Sequence, residues 1–82
     1  MVIFELKEAR KDRLIYLYYP ENRRNKKPGI IEVDRYDNSI KVTEVAEGDG
    51  AVNVNYSGHA MVKIMEGLEK GEVLKKGGAY WY

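Results

Sequence analysis

The sequence predicts an α+β fold: an antiparallel β-meander of four to five strands, with one amphipathic helix over about residues 58–70 packed on one face. Three observations predict it. Apolar and polar residues alternate with period two through most of the first 56 positions, the period changes to 3.6 after Ser57-Gly58, and turn-forming residues separate the segments. With 82 residues there is material for a single domain, 1–82, and only a thin core, which gives a modest expectation of self-association.

The first strand is read from Val2, Phe4 and Leu6 alternating with Ile3, Glu5 and Lys7. A polar turn follows at Ala9–Arg13. The run Leu14-Ile-Tyr-Leu-Tyr-Tyr19 is apolar or aromatic on both faces, so it belongs in a central strand or one whose second face is covered. A two-residue turn at Lys11-Asp12 would set Leu6 opposite Leu17 and Phe4 opposite Tyr19. Pro20 ends that strand because it has no N–H for the ladder.

Ile30–Tyr36 and Ser39–Ala46 form a hairpin about Asp37-Asn38, pairing Val33 with Val42 and Asp34 with Lys41. Parity then decides the next loop. A three-residue turn at Gly48-Asp49-Gly50, with Gly50 as a left-handed bulge, would place Val52, Val54 and Tyr56 of a fifth strand on the core face with Ile31, Val33, Ile40 and Val42. In the helix, Ala60, Met61, Ile64, Met65 and Leu68 make one stripe, with Ser57 as N-cap and Gly71 as the stop. Gly67 costs about 1 kcal/mol against alanine, which predicts a fraying last turn. Gly77-Gly78 near the end suggests a short C-terminal hairpin or a glycine-jointed tail.

Composition excludes several chemistries. The chain has no cysteine, one histidine and two serines. Disulfides, thiolate metal sites and a cysteine nucleophile are therefore out, and a cytoplasmic location is expected. His59 lies two residues after Ser57 at a helix start. There the N-terminal dipole disfavours the imidazolium, so a first-turn polar residue is the better reading than a base. The acids Asp37, Glu47 and Asp49 do not follow the spacing of a calcium loop. Gly48-Asp-Gly-Ala-Val-Asn53 leads into a strand, the reverse of a dinucleotide-binding turn. No catalytic residue, metal site or cofactor is expected, and no membrane span.

Two features remain for function. Net charge is +1 but uneven: residues 1–29 carry +4, residues 30–57 carry −4 and residues 58–82 carry +1. Seven tyrosines and Trp81 are a large aromatic load. The parity above puts Tyr16, Tyr18 and Tyr36 on the face away from the helix, and Tyr80 and Trp81 lie in the tail, which would either fold back over that face or leave it open. These five residues are the candidate contacts of a non-enzymatic protein-interaction module, with a homodimer through the aromatic face as its simplest form. The alternative is a nucleic-acid module, in which Arg23, Arg24, Lys26 and Lys27 reach phosphates and the tyrosines stack on bases. Near-neutral net charge weighs against it.

Overall fold

The computed structural model describes residues 1–50 and 55–81. Five strands, β1 (Val2–Ala9), β2 (Arg13–Pro20), β3 (Gly29–Asp34), β4 (Ile40–Glu44) and β5 (Lys76–Ala79), and one helix, α1 (Tyr56–Glu69), follow each other with α1 between β4 and β5. The sheet order is β4-β3-β2-β1-β5, antiparallel throughout. The first four strands are the expected meander. The helix packs over one face, in contact with every strand, and carries the chain from the β4 edge to the β1 edge. The core is the layer between: Val2, Phe4, Leu14, Tyr16, Tyr18, Ile31 and Val33 from the sheet meet Ala60 and Ile64 from the helix.

The β1–β2 hairpin contains the feature that sets the faces. Next to the turn, Ala9 pairs with Leu14 and Glu8 with Ile15, in line with the expected register. A bulge at Lys7 then shifts the partners by one, so Leu6 meets Tyr16 and Phe4 meets Tyr18. An inserted residue reverses the facing of everything beyond it. Val2 and Phe4 therefore share a face with Tyr16 and Tyr18, and the expected pairing of Phe4 with Tyr19 is replaced.

The β3–β4 hairpin differs in length but not in facing. Val33 pairs with Ile40, Glu32 with Lys41 and Ile31 with Val42, a shift of two from the expected register. The turn is longer because Asn38 donates to the Asp34 carbonyl (2.8 Å) and Asp34 donates to that of Ser39 (2.8 Å). The Asp34 and Asp37 carboxylates, by accepting from Tyr36 N and Ser39 N (2.8 Å each), fold the tip, and Asn38 takes φ of 59°. An even shift preserves parity, so Ile31 and Val33 stay in the core.

Gly48 and Gly50 have positive φ, 91° and 111°, as the expected turn requires. The strand expected at 52–56 falls largely outside the described residues, and Tyr56 opens α1 instead. Asn55, not Ser57, is the N-cap: its side chain accepts from Gly58 N (2.8 Å). Gly71 (φ 74°) does stop the helix, with Gly71 N–H to Leu68 O (3.0 Å) and Glu72 N–H to Gly67 O (2.8 Å), the paired bonds of a Schellman motif. Gly67 is buried where a Cβ would sit 2.8 Å from Leu74 Cγ and 3.1 Å from Glu72 O. Its lack of a side chain admits the returning chain, so the last turn is pinned rather than frayed.

Residues 76–79 form neither a hairpin on themselves nor a tail. They make β5, which pairs with β1 from Val2↔Ala79 to Glu5↔Lys76. Gly77 lies over the Phe4 ring, where a Cβ would approach to 2.6 Å, so the glycine pair serves strand packing.

Candidate interaction face

The helix covers one side of the sheet only, and among the described residues no strand or helix packs across the other. Strand alternation decides what that open side carries. On the central strand β2 it is Tyr19, Leu17 and Ile15, because Leu14, Tyr16 and Tyr18 point into the core. Pairing adds Ile3 opposite Tyr19 and Ile30 opposite Leu17. A Cβ on Gly78 would lie 2.9 Å from Ile3 Cδ1 and 3.4 Å from the Tyr80 ring, so Tyr80, 66% exposed, extends the strip beyond β1. The result is a continuous apolar band along the middle of the sheet.

Acids frame this band, and each finds a cation of its own chain. Glu5 takes Arg24 (2.9 Å), Glu8 takes Arg10 (2.8 Å), Glu32 takes Arg13 (3.2 Å) and Glu44 takes Lys27. The pairs leave a mark on titration. Arg10 holds the Glu8 carboxyl below its ordinary value, while Glu5 raises Arg24 and Glu44 raises Lys27. Exposed pairs of this kind contribute little to stability; their main consequence is that no acid of the rim is left bare, while Lys41, across from Glu32, and Lys76, across from Glu5, make no ion pair among the described residues.

The basic loop is part of this face. Glu21 (φ 53°) and Asn22 (φ 55°) both occupy the left-handed region, which costs about 1–2 kcal/mol per residue. They make a tight turn closed by Arg23 N–H to Pro20 O (3.1 Å). That turn brings Arg24 back over the Tyr19 ring, 4.5 Å from its centroid, and onto Glu5. Tyr19 is left 9% exposed. Burial and Glu5, which takes the Tyr19 O–H at 3.3 Å, raise the phenol's pKa, with Arg24 opposing.

The expected site residues separate. Tyr16 and Tyr18 are 0% exposed, so their placement on an open face is corrected: β2 pairs Leu14 with Val33 and Tyr16 with Ile31, which sets them on the core face under the helix. Tyr16 donates to Leu74 O (2.7 Å). Tyr18 donates to Asp49 Oδ2 (2.7 Å) and accepts from Ala46 N (3.0 Å). Burial pushes its pKa up to about 12, the Ala46 N–H opposing and the Asp49 carboxylate adding. Asp49 also accepts from Tyr56 N (3.4 Å) and Ser57 N (3.3 Å), tying the turn to the helix start. Gly29 leaves room for this phenol; a Cβ there would be 2.1 Å from its ring.

Tyr36 stands at the β3–β4 tip, 80% exposed, away from the band. Trp81 stacks on His59 (3.9 Å, 10°) and tilts against Tyr56 (5.7 Å). Trp81 therefore closes over the helix side, while Tyr80 lies at the edge of the open face. Of the five candidates only Tyr80 lies on that face. Ile3, Ile15, Leu17 and Tyr19 were missed, although the two-sided apolar run Leu14–Tyr19 was their signal. In the basic run, Arg24 and Lys27 are bound to acids, whereas Arg23 and Lys26 make no ion pair among the described residues.

No cluster of three or more metal-ligating side chains occurs among the described residues. No described helix is long and apolar enough to cross a membrane. No family model, curated protein or solved structure matches the chain.

Proposed function

We propose that this chain is a protein-docking module whose contact surface is the open face of its sheet. One observation carries the reading: an uncovered apolar band through Ile3, Leu17, Ile15 and Ile30, framed by ion pairs closed within the chain. Protein interfaces have this anatomy, an apolar centre inside a polar rim. A rim whose acids are already answered leaves the apolar centre as the main contact and selects a partner surface that is itself largely apolar. No reaction is assigned, because the polar groups of the face are occupied with each other. The absence of cysteine favours a cytoplasmic setting.

The nucleic-acid alternative has less to rest on. Two of its three stacking tyrosines, Tyr16 and Tyr18, lie in the core, while Tyr36 is exposed at the β3–β4 tip, and two of its four cations answer acids nearby. A photo-reactive side chain at Leu17, with a second protein carrying it at Val62 on the exposed side of α1, tests the docking reading in the cells that make the protein. Protein adducts from position 17 and not from 62 support it. Adducts from neither position, or nucleic-acid adducts at 17, refute it.

A further inference from the structure

The identity of the docking partner can be argued from the band itself, and the argument rests on the docking reading above. We infer that the partner is a second copy of this chain, packed sheet on sheet about a twofold axis that passes beside Leu17. Three properties of the face carry this.

The first is symmetry of pattern. A twofold contact requires a patch complementary to itself. On β2 the open-face residues are Tyr19, Leu17 and Ile15, with Leu17 in the middle and Ile30 beside it on β3. An in-plane axis perpendicular to the strands, through Leu17 and Ile30, sets each of these two against its own copy. It also sets Tyr19 of one chain, with Arg24 over its ring, against Ile15 of the other, so the contact is apolar at its centre and carries Arg24 at each end.

The second is charge. A copy of this face brings the same acids, Glu5, Glu8, Glu32 and Glu44, which would repel one another if bare. Each is paired with a cation in its own chain, so the acids of two copies do not meet bare, and Lys41 and Lys76 stand beside Glu32 and Glu5 on the same face.

The third is size. Strands lie about 4.8 Å apart and rise about 3.3 Å per residue, so five strands and the eight-residue β1 and β2 present a face of roughly 500 Å² in plan. Two such faces together bury about 1,000 Å², the lower bound for a specific interface. An interface at this lower bound makes a reversible dimer rather than an obligate one.

Sedimentation velocity from low micromolar to near-millimolar concentration tests this. The wild type is expected to pass from monomer to dimer, and Leu17→Glu to weaken the dissociation constant about a hundredfold or more, since the change falls at the centre of both patches. Val62→Glu should leave association intact. Mixing Leu17→Glu with Leu17→Lys should restore the dimer, because only an axis at this residue places the two new charges against each other. Circular dichroism and melting establish that each variant folds, and Ile15→Lys replaces any that does not.

A wild type that stays monomeric, or a dimer indifferent to Leu17→Glu, overturns the inference. A dimer lost in both variants but not restored by mixing overturns the axis. If the wild type is monomeric while position 17 still crosslinks to a different protein, self-association fails and the docking reading stands. Failure of both experiments removes both.

Discussion

Replacing Gly67 by alanine should destabilise this protein, although the same change in an open helix stabilises it. The gain is the helix propensity of alanine over glycine, about 1 kcal/mol. Against it stands the returning chain: the new Cβ would lie 2.8 Å from Leu74 Cγ and 3.1 Å from both Leu74 Cδ1 and the Glu72 carbonyl oxygen. Leu74 Cγ is the branch point of its side chain, and the Glu72 oxygen is backbone. Neither retreats freely, because Glu72 N–H is bonded to Gly67 O (2.8 Å) and Leu74 O accepts from Tyr16 (2.7 Å). Overpacking of this kind costs about 1–3 kcal/mol, so the net loss is about 1 kcal/mol. In a domain of this size that lowers the melting temperature by about 4–8 °C. Urea unfolding followed by circular dichroism gives the sign directly. A double-mutant cycle with Leu74→Ala should show a coupling of about 0.5 kcal/mol or more, with the alanine at 67 better tolerated once Leu74 is cut back. A Gly67→Ala protein with a higher urea midpoint and unchanged slope would refute the packing argument.

Other outcomes follow from the core and the loops. Tyr18→Phe leaves the buried Ala46 N–H without its acceptor and removes a donor from Asp49, and should cost about 1.5–3 kcal/mol in denaturant unfolding; a change below half of that would show the network to be dispensable. Gly29→Ala drives a Cβ into the Tyr18 ring and towards Ala46 N at 2.7 Å, and should leave no cooperative melting transition. Asn55→Ala removes the N-cap and should cost about 1 kcal/mol, whereas Ser57→Ala should cost much less, which separates the two cap assignments. At alkaline pH the sign follows from Tyr18: its folded pKa, about 12, is raised above the ordinary value of 10.0. Its contribution to stability is thus complete below pH 10 and lost between 10 and 12. Tyrosinate absorbance should rise together with unfolding in that window, and a tyrosine titration complete before any loss of circular dichroism would contradict it.

How much of this was legible in the sequence depends on parity. The β3–β4 hairpin was displaced by two residues, yet Ile31 and Val33 were assigned to the core correctly, because an even slip leaves facing unchanged. The β1–β2 hairpin was right beside its turn and wrong beyond Lys7, because one extra residue reverses facing. Nothing in Leu6-Lys7-Glu8 announces a bulge; the decision is made by Phe4 and Tyr16, which meet edge to face with centroids 5.8 Å apart. The helix stripe was readable because Ala60, Ile64 and Leu68 recur at helical spacing. The fate of residues 76–79 was not, since a strand that pairs with residues more than 70 positions earlier leaves no local signature. For the candidate face, the apolar excess of Leu14–Tyr19 is visible, but its orientation depends on the β2–β3 register, which sets Tyr16 opposite Ile31.

The position of β5 has a consequence for how the chain reaches its native state. Val2 pairs with Ala79, the longest-range contact in the sheet, while β1 to β4 are joined by neighbours in sequence. The meander can form early, but the loop closure that brings the last strand home is entropically the most demanding step. During synthesis, β1 therefore waits with one edge bare and Phe4 uncapped until Gly77 has left the ribosome, some seventy residues later. The interval in which this protein is most exposed to wrong pairing is set by the ribosome, and ends when β5 is free to pair with β1.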